Sequence, residues 1–259
     1  MPAFLATVLA TGRAVLSSGR TMLASGRQTL APPPGSKDGI LPPLLVAKTA
    51  VTGLVDAFSY LVLGHVFVAN MTGNVVFLAF SLAGAPGFSA ADSLIAIAAF
   101  GVGAIVASKL ISRYTAAPAA GSTGWRERLL TATAIGQAVL VLVAVILAGV
   151  TSTPIGSGYR YPLITLLAIA MGMQNATARK LAVPDLTTTV LTLTITGIAA
   201  DRDAAKLTRR LISVAAMLAG ACVGAVLVLH AHIVYPLVVA LAILGAVALA
   251  AARAARSIT

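Results

Sequence analysis

Two polar blocks interrupt the apolar segments of this chain, and they carry the residue types that could bind a solute or an ion. The first block is FVANMTGNVVFLAF at residues 67–80, and the second is AVPDLTTTVLTLTITG at residues 182–197. Amide, hydroxyl and carboxylate side chains of this kind cap helix N-termini by accepting hydrogen bonds from free N–H groups. A helix that begins inside a bilayer also offers the positive end of its dipole to a bound solute. The blocks therefore predict two helix N-termini buried in a membrane.

One acidic residue, Asp56, lies well inside a long apolar segment. A carboxylate placed there costs about 2.5 kcal/mol or more on insertion scales, so we expect it to face a cavity or a partner. Two interpretations stay open. Asp56 either couples transport to protons or cations (or binds a cationic substrate), or it is a protonated acid that hydrogen-bonds a neighbouring group such as Ser59. The predicted substrate or ion pathway comprises Asp56, Ser59, Asn70, Thr72, Asn74, Gln174, Asn175, Asp185, Thr188, Thr189 and Thr192.

The composition of the whole chain is that of a helical membrane protein. Its 259 residues are 59% hydrophobic and only 10% charged, and the mean hydropathy is +0.98. Charged residues are too few to cover the surface of a soluble domain of this length. The net charge of +11 is explained by basic loops that stay on the cytoplasmic side of a membrane. Basic residues are not interleaved with aromatic ones, so we expect no nucleic-acid partner.

Eight apolar segments follow a basic, Pro-rich N-terminal region. Six of them approach the ~20 residues of a transmembrane helix, at about 44–64, 93–112, 129–150, 161–179, 211–230 and 233–252. The other two, at 70–85 and 186–200, are shorter and begin with polar residues. If these two segments enter the membrane and return, every basic residue except Arg160 lies on the same side as the termini. Eight full crossings would instead place six basic residues on the opposite side. Loop charge therefore favours six crossings, with both termini cytoplasmic.

The predicted domains are a basic arm with its linker at 1–43, a transmembrane domain at 44–252 and a basic tail at 253–259. The arm contains a seven-residue repeat, GRAVLSS, GRTMLAS and GRQTLAP. Such a repeat could form a basic helix on an anionic membrane surface. Because each repeat contains a glycine, which opposes helix formation, a flexible tail is the alternative, and the sequence leaves both open.

The two halves of the transmembrane domain, at about 44–150 and 161–252, resemble each other. Three features recur in the same order: GLVDA (53–57) with GMQNA (172–176), VANMTGNV (68–75) with VPDLTTTV (183–190), and Gly103-x-x-x-Ala107 with Gly220-x-x-x-Gly224. If each half holds three crossings and one short helix, the second copy must be inverted, which is a recurring transporter design. The predicted fold class is therefore an all-α polytopic membrane protein. It has six full transmembrane helices and two short polar re-entrant or half helices in an inverted internal repeat.

The same two blocks also resemble a known family. TGLVDAFSYLVLGHVFVANMTGNVVFLAF and GMQNATARKLAVPDLTTTVLTLTITGIAAD are similar to the YoaK-like family of bacterial membrane proteins, and the resemblance runs from about residue 44 to 252. It implies an integral protein of the inner membrane and no established activity. The N-terminal arm lies outside the resemblance.

The leading hypothesis is a small secondary transporter or channel with a central polar site, and its competitor is a membrane scaffold whose polar blocks only hold helices together. The chain shows no nucleophile elbow, phosphate loop, metal-type cluster or paired carboxylates, so we expect no enzyme, metal or cofactor. The expected partners are the lipid bilayer and an unidentified small solute or ion. Small-residue helix faces leave a homo-oligomer open.

Overall fold

A computed structural model describes residues 22–33, 35–116, 124–151, 154–183 and 203–257 of the chain. These ranges contain helices and no strand. Besides a helical segment at 22–30, they hold α1 Leu41–Val62, α2 Met71–Leu82, α3 Ala90–Thr115, α4 Trp125–Gly149, α5 Ser157–Leu181, α6 Ala204–His230 and α7 Tyr235–Ser257.

All seven predicted segments that fall in the described ranges are helical, and most of the helices extend beyond the apolar run that predicted them. For example, α4 begins at Trp125 instead of 129, and α6 begins at Ala204 instead of 211. Hydropathy marks only the part of a helix that favours lipid, whereas backbone hydrogen bonding continues into the polar ends. The short segment predicted at 70–85 is a 12-residue helix, ~18 Å long at ~1.5 Å per residue. The segment predicted at 186–200 lies outside the described residues.

Five helices are long and apolar enough to cross a membrane, namely α1, α3, α4, α6 and α7. Helix α5 has 25 residues, enough to span the ~30 Å hydrocarbon core, but its composition is more polar. Its polar and charged residues include Arg160, Gln174, Asn175, Arg179 and Lys180. The multi-pass character of the chain therefore rests on five helices, and α5 differs from them in composition alone.

Helices α1 and α6 pack closely because glycines at their contact lack a Cβ atom. A Cβ on Gly53 would overlap the backbone of Met217 and Ala221, and one on Gly220 would overlap the carbonyl of Ala50. Small residues allow backbones to approach in this way, and the resulting van der Waals contact is a main source of helix association in lipid.

The same kind of contact joins α3 to α5. A Cβ on Gly103 would overlap the carbonyl of Ile169, and one on Gly172 would overlap the carbonyl of Phe100. The remaining helices complete the bundle, since α4 packs on α5 and α7, and α7 packs on α1.

Ion pairs mark the two ends of the bundle. At one end, Arg126 lies 3.1 Å from Asp38 and donates a hydrogen bond to the carbonyl of Leu181. The residues before α1, the start of α4 and the end of α5 therefore lie together at this end of the bundle, which we call the Arg126 end. At the opposite end, Arg160 of α5 lies 3.4 Å from Asp92 of α3. Helices α1 and α5 consequently run antiparallel.

Two acids that the hydropathy pattern places in loops are in fact helical. Asp92 lies in the first turn of α3 and Glu127 in the first turn of α4, and both side chains are buried. Their helices begin several residues before the apolar run, and acids in a first turn are stabilised by the helix dipole. The prediction of loop positions for these two acids was wrong for this reason.

The described part of the N-terminal arm is a helix that packs on α6. The hydroxyl of Ser25 donates to the carbonyl of Ala205 over 3.3 Å. Gly26, one of the repeated glycines, lies against the side chains of Thr208 and Ile212. Residues 22–30 of the arm are therefore helical and packed on the bundle, and the placement of the arm on a membrane surface stays a prediction.

We predict that Gly103→Val destabilises the protein and that Gly101→Val does not. Both changes put a β-branched residue in α3, but a Cβ at Gly101 meets no atom within 4 Å. Overpacking at Gly103 should cost about 1–3 kcal/mol, which lowers the melting temperature by roughly 5 °C in a protein of this size. Circular dichroism melting in detergent micelles measures the difference, and equal melting temperatures for the two variants would refute the close contact.

Candidate functional site

The chain reverses direction at the end of α1 and returns along that helix. Gly64 and His65 both adopt left-handed backbone conformations, with φ of 90° and 60°. The returning segment brings the N–H groups of Val68 and Ala69 to Oδ1 of Asp56, at 3.2 and 2.9 Å. Asp56 lies six residues before the end of α1, ~9 Å along the helix. Helix α2 therefore starts well before the level at which α1 ends, and the residues just before it bind a buried carboxylate.

Both flanks of this segment meet at the Arg160 end. Nδ1 of His65 lies 3.1 Å from the carbonyl oxygen of Gly87, so the chain between them enters and leaves the bundle at the same end. Stacked rings hold α2 in this position, with Phe77 packed on Phe67 and on Phe88. This is the geometry that the six-crossing arrangement requires of the first polar block.

The first turn of α2 is tied to the returning chain by asparagines. Asn70 is the N-cap, and its side-chain oxygen accepts from the N–H of Gly73 at 3.4 Å, which confirms the predicted capping role. Asn74 accepts from the N–H of Phe67 at 2.9 Å and donates to the carbonyl of the same residue at 2.6 Å. Asn74 is fully buried, whereas Asn70 and Thr72 are exposed. Asn74 therefore fixes the backbone, and only Asn70 and Thr72 face outward.

The two oxygens of the Asp56 carboxyl group have different surroundings. Oδ1 accepts the two backbone hydrogen bonds, while Oδ2 is buried and has no hydrogen-bond partner among the described residues. The hydroxyl of Ser59 donates to the backbone carbonyl of Asp56 at 3.2 Å, so it is not the partner of the carboxyl group. A buried polar oxygen without a partner costs about 1–3 kcal/mol, and it is available to a proton, a cation or a donor group of a solute.

A second polar cluster lies further along α1, toward the Arg126 end. Nε2 of Gln174 donates to the carbonyl of Lys48 at 3.0 Å and to the hydroxyl of Thr52 at 2.8 Å. Nε2 of Gln137 donates to Oε1 of Gln174 at 3.2 Å and to the carbonyl of Ala170 at 2.8 Å. These bonds connect α1, α4 and α5 through side chains that are all buried. Oε1 of Gln137 keeps no hydrogen-bond partner within the described ranges.

Lys48 is the functional candidate that sequence reasoning missed. It lies within α1 with 1% of its surface exposed, and in the described parts of the chain its Nζ has no hydrogen-bond partner. Lys48, Thr52 and Asp56 are spaced by four residues and therefore share one face of α1. A lysine four residues into an apolar run, in helical phase with a buried acid, was the signal available in the sequence.

The structure brings together only part of the predicted pathway. Asp56 and Asn74 both bind the returning chain, and Gln174 binds Thr52 and Lys48, one and two turns of α1 away from Asp56. Nδ2 of Asn175 donates to the carbonyl of Met171 in its own helix. The remaining predicted residues lie outside the described ranges and stay predictions: Asp185, Thr188, Thr189 and Thr192.

Known proteins similar to this chain share the region that contains these clusters. A family described as Protein of unknown function (DUF1275) matches residues 44–250. The UPF0700 transmembrane protein YoaK of Bacillus subtilis (strain 168) is 32% identical over 158 residues, which are 61% of this chain and 65% of that protein. The match thus spans slightly less than two thirds of the relative's length. No solved structure matches the chain.

We predict that Asn74→Ala loosens the returning chain and that Thr72→Ala, in the same helical turn, does not. The alanine at position 74 removes both bonds to Phe67, whereas Thr72 is exposed. Loss of a net hydrogen bond of about 0.5–1.5 kcal/mol should speed exchange of the Phe67 amide by roughly 3- to 10-fold, if exchange proceeds through local opening. Hydrogen exchange of the peptide covering 63–70 measures the effect. Unchanged exchange in the Asn74 variant would contradict this role.

Proposed function

We propose that this chain, which belongs to the DUF1275 family over most of its length, is a small secondary transporter or channel of the inner membrane for a small solute or ion. The observation that carries the proposal is the return of the chain along α1 to Asp56, just before α2 starts, together with Oδ2 of Asp56, which is buried and has no hydrogen-bond partner in the described ranges. A helix N-terminus and an ionisable group at membrane depth are features of solute sites in transporters. The name of the similar YoaK protein gives a membrane location only.

The helix packing supports an inverted repeat in which α1 corresponds to α5, α3 to α6 and α4 to α7. Helix α1 packs on α6 through Gly53 and Gly220, and α5 packs on α3 through Gly172 and Gly103. The sequence repeat aligns these same glycines, so each half supplies the partner for the first helix of the other half. The contact of α4 with α5 likewise corresponds to that of α7 with α1. Since α1 and α5 run antiparallel, a six-crossing bundle would relate the halves by an axis in the membrane plane.

In the proposed site, Asp56 binds a proton or a cation through Oδ2. Lys48 and Oε1 of Gln137 supply a second pair of polar groups further along the same path, and Gln174 holds them in place. Asn175, Asp185, Thr188, Thr189 and Thr192 are assigned to the wall formed by the second half. No step of this function makes or breaks a covalent bond, so we propose a protein without enzymatic activity.

A membrane scaffold is the second candidate function, and one observation favours it. Oδ1 of Asp56 and both polar atoms of the Asn74 amide bind backbone groups of residues 67–69. These bonds hold α2 against the bundle whether or not a solute passes. In a scaffold, that structural role would be the whole role of Asp56.

Two substitutions of Asp56 separate the candidates. Asp56→Asn keeps an oxygen that accepts the two N–H groups but removes the ionisable group, whereas Asp56→Ala removes both and should cost about 2 kcal/mol of stability. In proteoliposomes on a solid-supported membrane, we expect currents after jumps in proton, sodium, potassium or methylammonium concentration. Asp56→Asn should abolish them without a large loss of thermal stability, while Asp92→Asn, a buried acid at the Arg160 end, should keep them. Absent wild-type currents, or currents equal in Asp56→Asn, favour the scaffold.

Cysteine labelling tests the orientation on which the inverted repeat depends. In a Cys222→Ala background, single cysteines replace Ala83, at the end of α2, and Ala116, after α3; both positions are exposed. An impermeant thiol reagent added to intact cells should label the cysteine at 83 but not the one at 116, because Arg160 and few other charges lie at the outer end. Labelling at 116 alone would invert the assignment, and labelling at neither or both would contradict it.

A further inference from the structure

A groove at the Arg126 end lies outside the candidate site and is formed by α3, α4 and α7. Its volume is about 390 Å³, and it is lined by Tyr114, Arg128, Thr131, Ile135, Ala252 and Arg256 among others. The two arginines lie near the start of α4 and the end of α7, whereas Ala252 and Ile135 lie one to two turns further into these helices; the arginines therefore form the polar side of the groove and these residues its apolar side. Trp125 begins α4 at this level, and tryptophan is enriched where helices leave the hydrocarbon core.

The polar side of the groove offers hydrogen-bond donors and positive charge. The half-buried Arg128 makes no ion pair or side-chain hydrogen bond with a described residue. Tyr114 contributes a phenol, whereas the proton of the Thr131 hydroxyl is already donated to the carbonyl of Glu127 at 2.8 Å. Among the described residues that line the groove, none is an acid. Guanidinium groups bind phosphate oxygens through paired N–H donors, so this lining suits a phosphate ester.

The apolar side of the groove continues along α4 toward the other end of the bundle. Ile135 in the groove is followed at helical spacing by Val139, Leu142 and Ile146, and 44–56% of the surface of each of these four residues is exposed. From Arg128 to Ile146 this track measures ~27 Å, which is close to the ~30 Å thickness of a hydrocarbon core. A free phosphate would use only the arginines, whereas a phospholipid would use the arginines and the track.

We propose that this groove, with Arg128 and Arg256 at its polar side and the α4 track at its apolar side, binds an anionic phospholipid. The phosphate of the headgroup lies between the two arginines, and an acyl chain lies along Ile135 and the residues that follow it. Basic pockets between transmembrane helices on the cytoplasmic side bind anionic headgroups in this way. The site is independent of any transport activity, since none of its lining residues belongs to the Asp56 or Gln174 clusters.

The test compares two double variants that remove the same charge from the same part of the molecule. Arg128→Gln with Arg256→Gln removes the groove arginines, and Lys109→Gln with Arg253→Gln removes exposed basic residues of α3 and α7 that do not line the groove. Native mass spectrometry of the full chain in detergent then measures the affinity for added phosphatidylglycerol. Each basic side chain near a membrane surface contributes about a factor of 5, so the groove variant should bind roughly 10- to 30-fold more weakly and the control variant nearly as the parent does.

Three further outcomes bear on the proposal. Phosphatidylcholine should bind the parent protein much more weakly than phosphatidylglycerol, and soluble glycerol phosphate at the same concentration should not displace the lipid. Ile135→Ser, at the apolar side, should weaken lipid binding while the arginines are intact. Equal loss in both double variants, equal binding of phosphatidylcholine, or displacement by glycerol phosphate would each overturn the lipid site. Melting temperatures without added lipid verify that every variant is folded.

Discussion

The bond between the Asp56 carboxyl group and the N–H groups of Val68 and Ala69 determines the position of α2. In a bilayer, backbone groups outside a helix have no water to bind, and each unsatisfied group costs several kcal/mol. The chain between α1 and α2 can therefore fold back into the bundle only where side chains satisfy it. Asp56 satisfies two donors, and Asn74 satisfies both polar groups of Phe67. The return of the chain therefore uses one oxygen of this carboxyl group, while the other, Oδ2, has no hydrogen-bond partner among the described residues.

The glycine contacts join the long helices beside this segment in two close pairs, α1 with α6 and α3 with α5. Lipid provides no hydrophobic force between helices, so close backbone approach at Gly53, Gly103, Gly172 and Gly220 contributes much of the attraction. Each of these glycines is in the middle of a helix, where glycine weakens the helix by roughly 1 kcal/mol relative to alanine. Their presence on both sides of two equivalent contacts is consistent with two halves that each complete the other.

The interior polar network binds α1, α4 and α5 without using its full hydrogen-bonding capacity. Interhelical hydrogen bonds in membranes contribute only about 0.6 kcal/mol on average, so Gln174 and Gln137 are modest contributors to stability. Lys48 Nζ, Asp56 Oδ2 and Gln137 Oε1 nevertheless remain without hydrogen-bond partners among the described residues. Three buried polar atoms without hydrogen-bond partners lower the stability of the fold, so a purely structural role does not explain them. Their concentration along one face of α1 and the facing part of α4 is the feature that a scaffold explains least well.

The sequence by itself determined the helical elements, the short length of α2, a helix N-terminus in the first polar block and the family, because these follow from local composition and from matched residues. Transfer of each apolar segment to lipid depends on that segment alone, so hydropathy locates it within a few residues. Hydropathy did not predict the helical first turns at Asp92 and Glu127, because these helices begin before their apolar runs.

Tertiary structure alone decided the burial of Lys48, the partners of Gln174 and the pairing of α1 with α6. The bond from Gln174 to the carbonyl of Lys48 joins residues 126 positions apart. Such a bond depends on which helix faces which. The pairing of helices depends on how well their surfaces fit at the glycine contacts. This fit is a property of two helices together and cannot be read from either segment alone.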